Sequence, residues 1–540
     1  MKHFKTTLTI VTTAGLLALT ACGGTTSAND STVDQAGEPT PGGTLRFAVG
    51  SDAGCFDPHQ VGSNDSIYSV RTIADSLTDQ DPETGEIVPW LAESWEINDD
   101  VTEFTFTLQD GVTFSDGTPL DAEAVAANFD AVENLGSRAG LTTGYLQDYE
   151  ETEIHDDLSF TVKFSESNAQ FLQASSTHSL SILHPESVTL DDDTRCEGVI
   201  GSGPFVLEEH VHNDHITLSA REDYDWGSSL WSNQSAPYLE GIEFSVVPES
   251  GVRAGSLQSG QVDVIGNIAP QDQAGLESAG AELLSRTNPG IAMGLRVNHD
   301  NDLLADQAVR EALAIGINRE EIASTVYPEG TPAATSILSG TTPAHKDLSD
   351  RLTYDPQRAA QLLEEAGFAE NSQGVLERDG QPLELDLLWF NVAATNSAAV
   401  ELIQQQLDQI GVKINLEEGQ TAEWNSRLIE GSFDLNWSNI TRADGDILRT
   451  EYDTDLANNS RLTDTEELND LLREQATTLD NETRTALLGE AQEYIVSNYL
   501  TIPVIDLTTI VSSRAGVHGV RFDSGARVHL NDVWIQDAAS

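Results

Sequence analysis

In the stretch VELIQQQLDQIGVKINLE, residues 400–417, Ile403, Leu407 and Ile410 recur at the spacing of one helical face, Gly411 stops the run, and Val412, Ile414 and Leu416 then alternate as a strand. A helix handed directly to a strand is the building unit of α/β architecture. The same grammar recurs elsewhere. YDPQRAAQLLEEAGF carries a helix capped by Asp355, with Pro356 at its first position and Gly367 as its stop. In TEFTFTLQDGVTFSDG, Phe104, Phe106 and Leu108 alternate with threonines, and the Asp-Gly pairs at 110–111 and 116–117 supply turns. DAEAVAANFDAV then sets Val125, Phe129 and Val132 on one helical face behind Asp121 as cap. No segment repeats at a fixed period.

The chain opens with Lys2 and Lys5, followed by a run from Leu8 to Leu19 that is apolar apart from threonines. That run is well short of the roughly 20 residues that span a bilayer, so it predicts an export signal over 1–21. Leu19-Thr20-Ala21-Cys22 resembles the bacterial lipobox, which implies acylation of the Cys22 thiol and cleavage just before it. Two or three acyl chains would anchor the protein stably. Residues 22–42 are small and polar without an apolar period and predict a flexible tether. The folded part then starts near Gly43, and what remains exceeds what one hydrophobic core serves, so at least two lobes are expected.

With 89 Asp plus Glu against 27 Lys plus Arg, the formal net charge is −62. Such a field disfavours nucleic acid and anionic lipid surfaces as partners. Because the acidic residues are spread along the whole chain, they are read as a solvated surface and not as a cationic-ligand cleft. Cys55 and Cys196 are the other two cysteines, and in an exported chain pairing is favoured.

Motifs for catalysis are absent: no G-x-S-x-G elbow, H-E-x-x-H helix or glycine-rich phosphate loop occurs. A secreted hydrolase and a lipid-anchored structural protein are therefore the weak rivals. EEHVHNDHI brings His210, His212 and His215 close together behind Glu208 and Glu209, a donor set that suits a transition metal. Asn213-Asp214 is turn chemistry, so the segment is read as a solvated hairpin and no metal or other cofactor is assigned.

Ordered along the chain, GGTLRFAVGSDAGCFDPH, LAESWEINDDVTEFTFTLQDGVTFSDGTPLDAEAV, IGSGPFVL, YLEGIEFSVVPESGVRAGSLQSGQVDV, VREALAIGINREEI, YDPQRAAQLLEEAGF, GVKINLE and GSFDLNW resemble the peptide- and nickel-binding receptors of ABC transporters, solute-binding family 5. The resemblance covers nearly all of the mature chain. It implies a two-lobed, periplasmic-binding-protein-like α/β fold of type II with an extra domain. Lobe I would comprise 43–77, 191–290 and 505–540, the extra domain 78–190, and lobe II 291–504. The implied function is extracytoplasmic capture of a peptide-like or related small solute in the interlobe cleft and its delivery to the permease subunits. The chain would act without catalytic residues, as a monomer held to the outer face of the cell membrane by lipid. A nickel or metal-chelate receptor is the alternative within the family.

The resemblance also places candidate ligand contacts. Ser63 and Asn64 lie in the loop after the opening strand; Trp389 and Trp437 end strands that run towards the cleft. Asp444-Gly445-Asp446 stands where peptide receptors have an Asp-Pro type turn, and the stretch before it offers Thr441 and Arg442 but no carboxylate for a ligand ammonium. Arg442 would suit a carboxylate, phosphate or carbonyl group, unless it points to solvent or pairs with Asp444, in which case a carboxylate such as Asp444 takes the anchoring role. Cys55 and Cys196 both fall in lobe I, and a disulfide between them is predicted. Trp95 and the glycines of GSGPF are read as structural, Gly201 and Gly203 permitting a tight turn.

Overall fold

Alternation of phenylalanine and threonine does what the pattern demands. Phe104, Phe106 and Leu108 are buried while Thr105 and Thr107 stay half-exposed, in the strand Glu103–Leu108. With Ala92–Ile97, Ser159–Phe164 and Tyr149–Asp156 it forms a four-stranded antiparallel sheet. The helix Ala122–Leu135 covers this sheet; its cap Asp121 accepts from the Ala124 N–H, and Val125, Phe129 and Val132 are enclosed. The computed structural model describes residues 37–536 apart from 373, 391–393, 420 and 457, and Pro39–Ser540 forms one compact unit. The export signal, Cys22 and most of the tether lie outside the described residues.

Two larger sheets accompany the small one. The first has seven strands in the order Glu282–Thr287, Thr508–Ser513, Val264–Ile265, Thr44–Val49, Gly241–Val246, His215–Ala220 and Phe205–Val211. The second has five, in the order Lys413–Gly419, Glu384–Phe390, Leu435–Thr441, Gly290–Val297 and Thr501–Ile505. The helix-to-strand unit of 400–417 sits here: Ile403, Leu407 and Ile410 are enclosed, Gly411 turns at φ 84°, and Lys413–Gly419 pairs in parallel with Glu384–Phe390. Asp355 caps the helix Pro356–Glu365 through the Arg358 N–H.

The chain passes between the two large sheets twice, side by side. Asn288 and Pro289 join Glu282–Thr287 to Gly290–Val297, and Asp506 and Leu507 join Thr501–Ile505 to Thr508–Ser513. The Asn288 N–H donates to the Leu507 carbonyl at 2.7 Å, and the Thr509 hydroxyl donates to Asn288 Oδ1 at 2.7 Å. Paired crossings of this kind form a hinge, since few backbone torsions need change for the sheets to rotate.

Cys55 and Cys196 are joined in a disulfide beside the first sheet. Trp95 is half-buried against the core of the small sheet. The glycines of GSGPF differ from expectation: neither Gly201 nor Gly203 has a positive φ. Their role is close approach, because a Cβ on Gly201 would lie 2.0 Å from the Ile73 carbonyl oxygen and one on Gly203 2.4 Å from the Ile73 carbonyl carbon.

Candidate ligand site between the lobes

Where the five-stranded sheet faces the rest of the molecule, several contacts cross the gap, three of them close together. Gln80 Nε2 donates to the Ala443 carbonyl at 3.3 Å, the Ala169 N–H donates to the Ala476 carbonyl at 3.0 Å, and the Arg442 guanidinium lies 4.2 Å over the ring of Tyr145. A cavity of about 280 Å³ opens beside them, walled by Gln80, Pro82, Arg286, Thr341, Ala443 and Ser524. Its walls thus come from both large sheets' lobes and from the hinge strand Glu282–Thr287.

Arg442 follows the strand Leu435–Thr441 and is only 3% exposed. Its Nη1 donates to the Thr450 hydroxyl at 3.3 Å, and its Nε is enclosed without a partner. It neither points to solvent nor pairs with Asp444. Asp444 is engaged by both terminal nitrogens of Arg484, at 2.9 and 2.6 Å. Burial would raise the Asp444 carboxyl, but the Arg484 charge and its hydrogen bonds outweigh that and hold it below the ordinary range. A carboxylate so committed is a poor anchor for a ligand ammonium. Thr441 is half-buried and pairs with Gly290 in the sheet.

Ser63 is exposed at the start of the helix Asn64–Val70 without capping it through its side chain. Asn64 donates to the Thr509 hydroxyl at 3.3 Å and so joins the hinge pair. Trp437 is fully enclosed in the core of the five-stranded sheet, its ring N–H reaching Asn396 Oδ1 at 3.4 Å. Trp389 is enclosed in the same core, its ring N–H without a partner. Both are enclosed in the core of this sheet.

The histidine hairpin lies elsewhere, between the strands Phe205–Val211 and His215–Ala220, with Asn213 at φ 60° in its turn. His210 and His212 meet Asp52, at 3.1 and 3.2 Å, and the residue pair expected ahead of them plays no such part. These three residues hold one ligand atom each within 4.8 Å of one another. His215 turns to Asp214 and Glu209.

Sequence reasoning missed Tyr145, Gln80, Arg71 and Arg527. Arg71 is half-buried over the face of Trp90 at 4.7 Å and donates to Ser76 Oγ and the Ser176 carbonyl. No local pattern marks these residues; only a search among the few basic residues for buried ones could have drawn attention to the arginines.

The profile of bacterial extracellular solute-binding proteins, family 5 Middle, matches residues 86–449. The chain is 28% identical to the nickel-binding periplasmic protein of Escherichia coli K12 over 390 residues, covering 70% of this chain and 71% of that one. Among solved structures it superposes on NikA from Brucella suis in complex with Fe(III)-EDTA with a TM-score of 0.79 at 22% identity, covering 92% of this chain and all of that one. AppA from Bacillus subtilis in complex with a nonapeptide gives a TM-score of 0.76 at 19% identity over 93% of this chain and all of that one.

Proposed function

As the chain belongs to the bacterial extracellular solute-binding proteins of family 5, we propose that it is the receptor of an ABC importer, closing its two lobes on a solute and presenting the closed form to the permease. The observation that carries this reading is the set of contacts across the gap, Gln80 to Ala443, Ala169 to Ala476 and Arg442 on Tyr145, beside paired hinge crossings. Closure must be driven by contacts that exist only in the closed form, and a solute lying between the lobes supplies them. The protein acts as a receptor and not as an enzyme. Lipid on Cys22 would hold it at the outer face of the membrane, where the tether raises its effective concentration near the permease. Among the described residues no helix is long and apolar enough to cross a membrane.

The relatives' names include nickel, oligopeptide, dipeptide, glutathione and heme binders, and a metal-chelate cargo is the second reading. Arginines at the cleft favour it only for a chelate whose outer surface is carboxylate, since a bare cation would be repelled. X-ray scattering of the purified protein with the small-molecule fraction of spent growth medium tests the receptor reading. The radius of gyration should fall on mixing, with the added compounds recovered unchanged by mass spectrometry. Chemical conversion of a bound compound would refute it.

A further inference from the structure

In a chain with a net charge of −62 every buried arginine has carboxylates to choose from. Arg195, Arg296, Arg449 and Arg484 are indeed paired, with Asp57, Glu451, Asp446 and Asp444. Arg253, Arg310 and Arg319 are instead wrapped by backbone carbonyls of their own lobe. Arg442 and Arg527 fit neither pattern, and the half-buried Arg71 has only Ser76 Oγ and the Ser176 carbonyl as acceptors. Among the described residues none of the three is ion-paired to a carboxylate, Arg442 has only the hydroxyls of Thr450 and Tyr145 as partners, and the enclosed Nε of Arg527 has no partner although the residue is only 7% exposed.

These three charges come from separate parts of the fold. Arg442 belongs to the five-stranded lobe; Arg71 follows the helix Asn64–Val70 and Arg527 lies in the C-terminal tail, both on the seven-stranded side. Tyr145, from the inserted domain, is the shared neighbour: burial raises its hydroxyl pKa, and the charges of Arg442 and Arg527 both oppose that. Arg527 also acts on Arg71 and on His178, whose ring burial and these two charges keep neutral and whose enclosed Nδ1 has no partner. The cavity between the lobes is lined by Ala443 and Ser524, chain neighbours of Arg442 and of the Asp523–Arg527 turn.

Three carboxylates, Asp79, Asp523 and Asp75, stand near Arg71 and offset part of its charge, which leaves Arg442 and Arg527 as the pair without a counter-charge. Asp79 and Asp75 are themselves pushed up by burial, Asp75 to about 6, and Asp523 accepts from the Arg527 backbone N–H at 2.8 Å. An uncompensated buried guanidinium destabilises the fold, and the molecule recovers that cost only when an anion arrives. The planar fork of arginine matches carboxylate and phosphate oxygens two at a time.

We infer that the solute is an oxyanion, a small molecule bearing carboxylate or phosphate, bridged between Arg442 of one lobe and Arg527 of the other, with Arg71 and Tyr145 beside it. This rests on the receptor reading and names its ligand class. The anion supplies the driving force for closure, since it turns repulsion between guanidiniums drawn from opposite lobes into mutual attraction for one ligand. A free-amine peptide without extra acids lacks this fit, because its ammonium meets arginine and no free carboxylate.

Thermal-shift and calorimetric titrations of the full mature chain, freed of small molecules by unfolding and refolding, test this with four probes: citrate, inorganic phosphate, N-acetyl-trialanine and trialanine amide. Citrate or phosphate should raise the melting temperature, the stronger of the two naming carboxylate or phosphate as the preferred group, and trialanine amide should not. Arg442→Gln and Arg527→Gln should each weaken binding of the stronger anion by about tenfold or more, while the ligand-free variants melt no lower than the parent. That second readout separates a ligand contact from a merely structural arginine, whose loss would lower the melting point. If neither citrate nor phosphate binds at millimolar concentration, or if both variants bind the anion like the parent, the inference is overturned. Binding of trialanine amide alone would overturn it too, while leaving the receptor reading intact.

Discussion

Asp506 sits at the second hinge crossing, between Thr501–Ile505 and Thr508–Ser513, and is only 4% exposed. One carboxyl oxygen accepts from the Gly340 N–H at 3.0 Å and the other has no partner. Burial pushes the group from 3.8 up to about 7, with the Gly340 bond alone working against it. At about 1.4 kcal/mol per unit, a rise of about three units means that ionising Asp506 costs the fold up to about 4 kcal/mol. Between those two values the folded chain holds a proton that the unfolded chain has lost. The contribution to stability is therefore present below about pH 4 and is lost as pH rises to about 7. Asp506→Asn keeps an acceptor for Gly340 and cannot ionise. Guanidinium unfolding followed by tryptophan fluorescence should show the variant more stable than the parent at about pH 8, by about 2–4 kcal/mol, and close to it at about pH 4. If parent and variant lose the same stability between those pH values, Asp506 is ionised at no cost and the reasoning fails.

Three further outcomes follow from the covalent and packing features. Cys22→Ser should move the protein from the detergent phase to the aqueous phase on phase partitioning; a variant that still partitions with detergent refutes the lipid anchor. Removing the Cys55–Cys196 bridge, which spans 141 residues, should cost about 5 kcal/mol on the chain-entropy account. An unfolding midpoint unchanged by reducing agent contradicts this. Trp437→Ala should leave a cavity in the core of the five-stranded sheet and lower stability by about 3–5 kcal/mol, checked by the same unfolding assay; a loss below about 1 kcal/mol would mean that the ring is not packed as described.

The elements that sequence periodicity exposes are those whose reason is local. Asp121 and Asp355 cap helices because a carboxylate accepts the free N–H groups of the first turn, which needs only neighbours a few residues on. Phe104, Phe106 and Leu108 face inward because a strand alternates. Trp389 and Trp437 are enclosed in the core, and strands covered on both faces carry no alternation from which to tell a wall of the cleft from the core. The state of Asp444 depends on Arg484, 40 residues away in the helix Asn481–Ser497, and a turn motif gives no hint of it. Likewise Arg71, Tyr145, Arg442 and Arg527 are assembled by a topology that returns the chain to the first sheet at its end. Each is an ordinary residue in its own segment, and the site exists only in the assembled fold.

The surface charge and the cleft charge oppose each other, and salt separates their effects. An anion approaching a body of net charge −62 is repelled at long range. That repulsion is screened beyond about 10 Å at 0.1 M salt and is much stronger at tenfold dilution. Within the closed cleft the guanidiniums are buried and screened little, so the dissociation rate is set there. Stopped-flow binding of the anion identified by the thermal-shift panel should therefore show an association rate that rises with ionic strength and a dissociation rate that hardly moves. Affinity should change modestly and in the direction of tighter binding. A steep loss of affinity on raising salt would mean that the acidic residues attract a cation into the cleft. It would refute both the solvated-surface reading of the acidic residues and the anionic ligand.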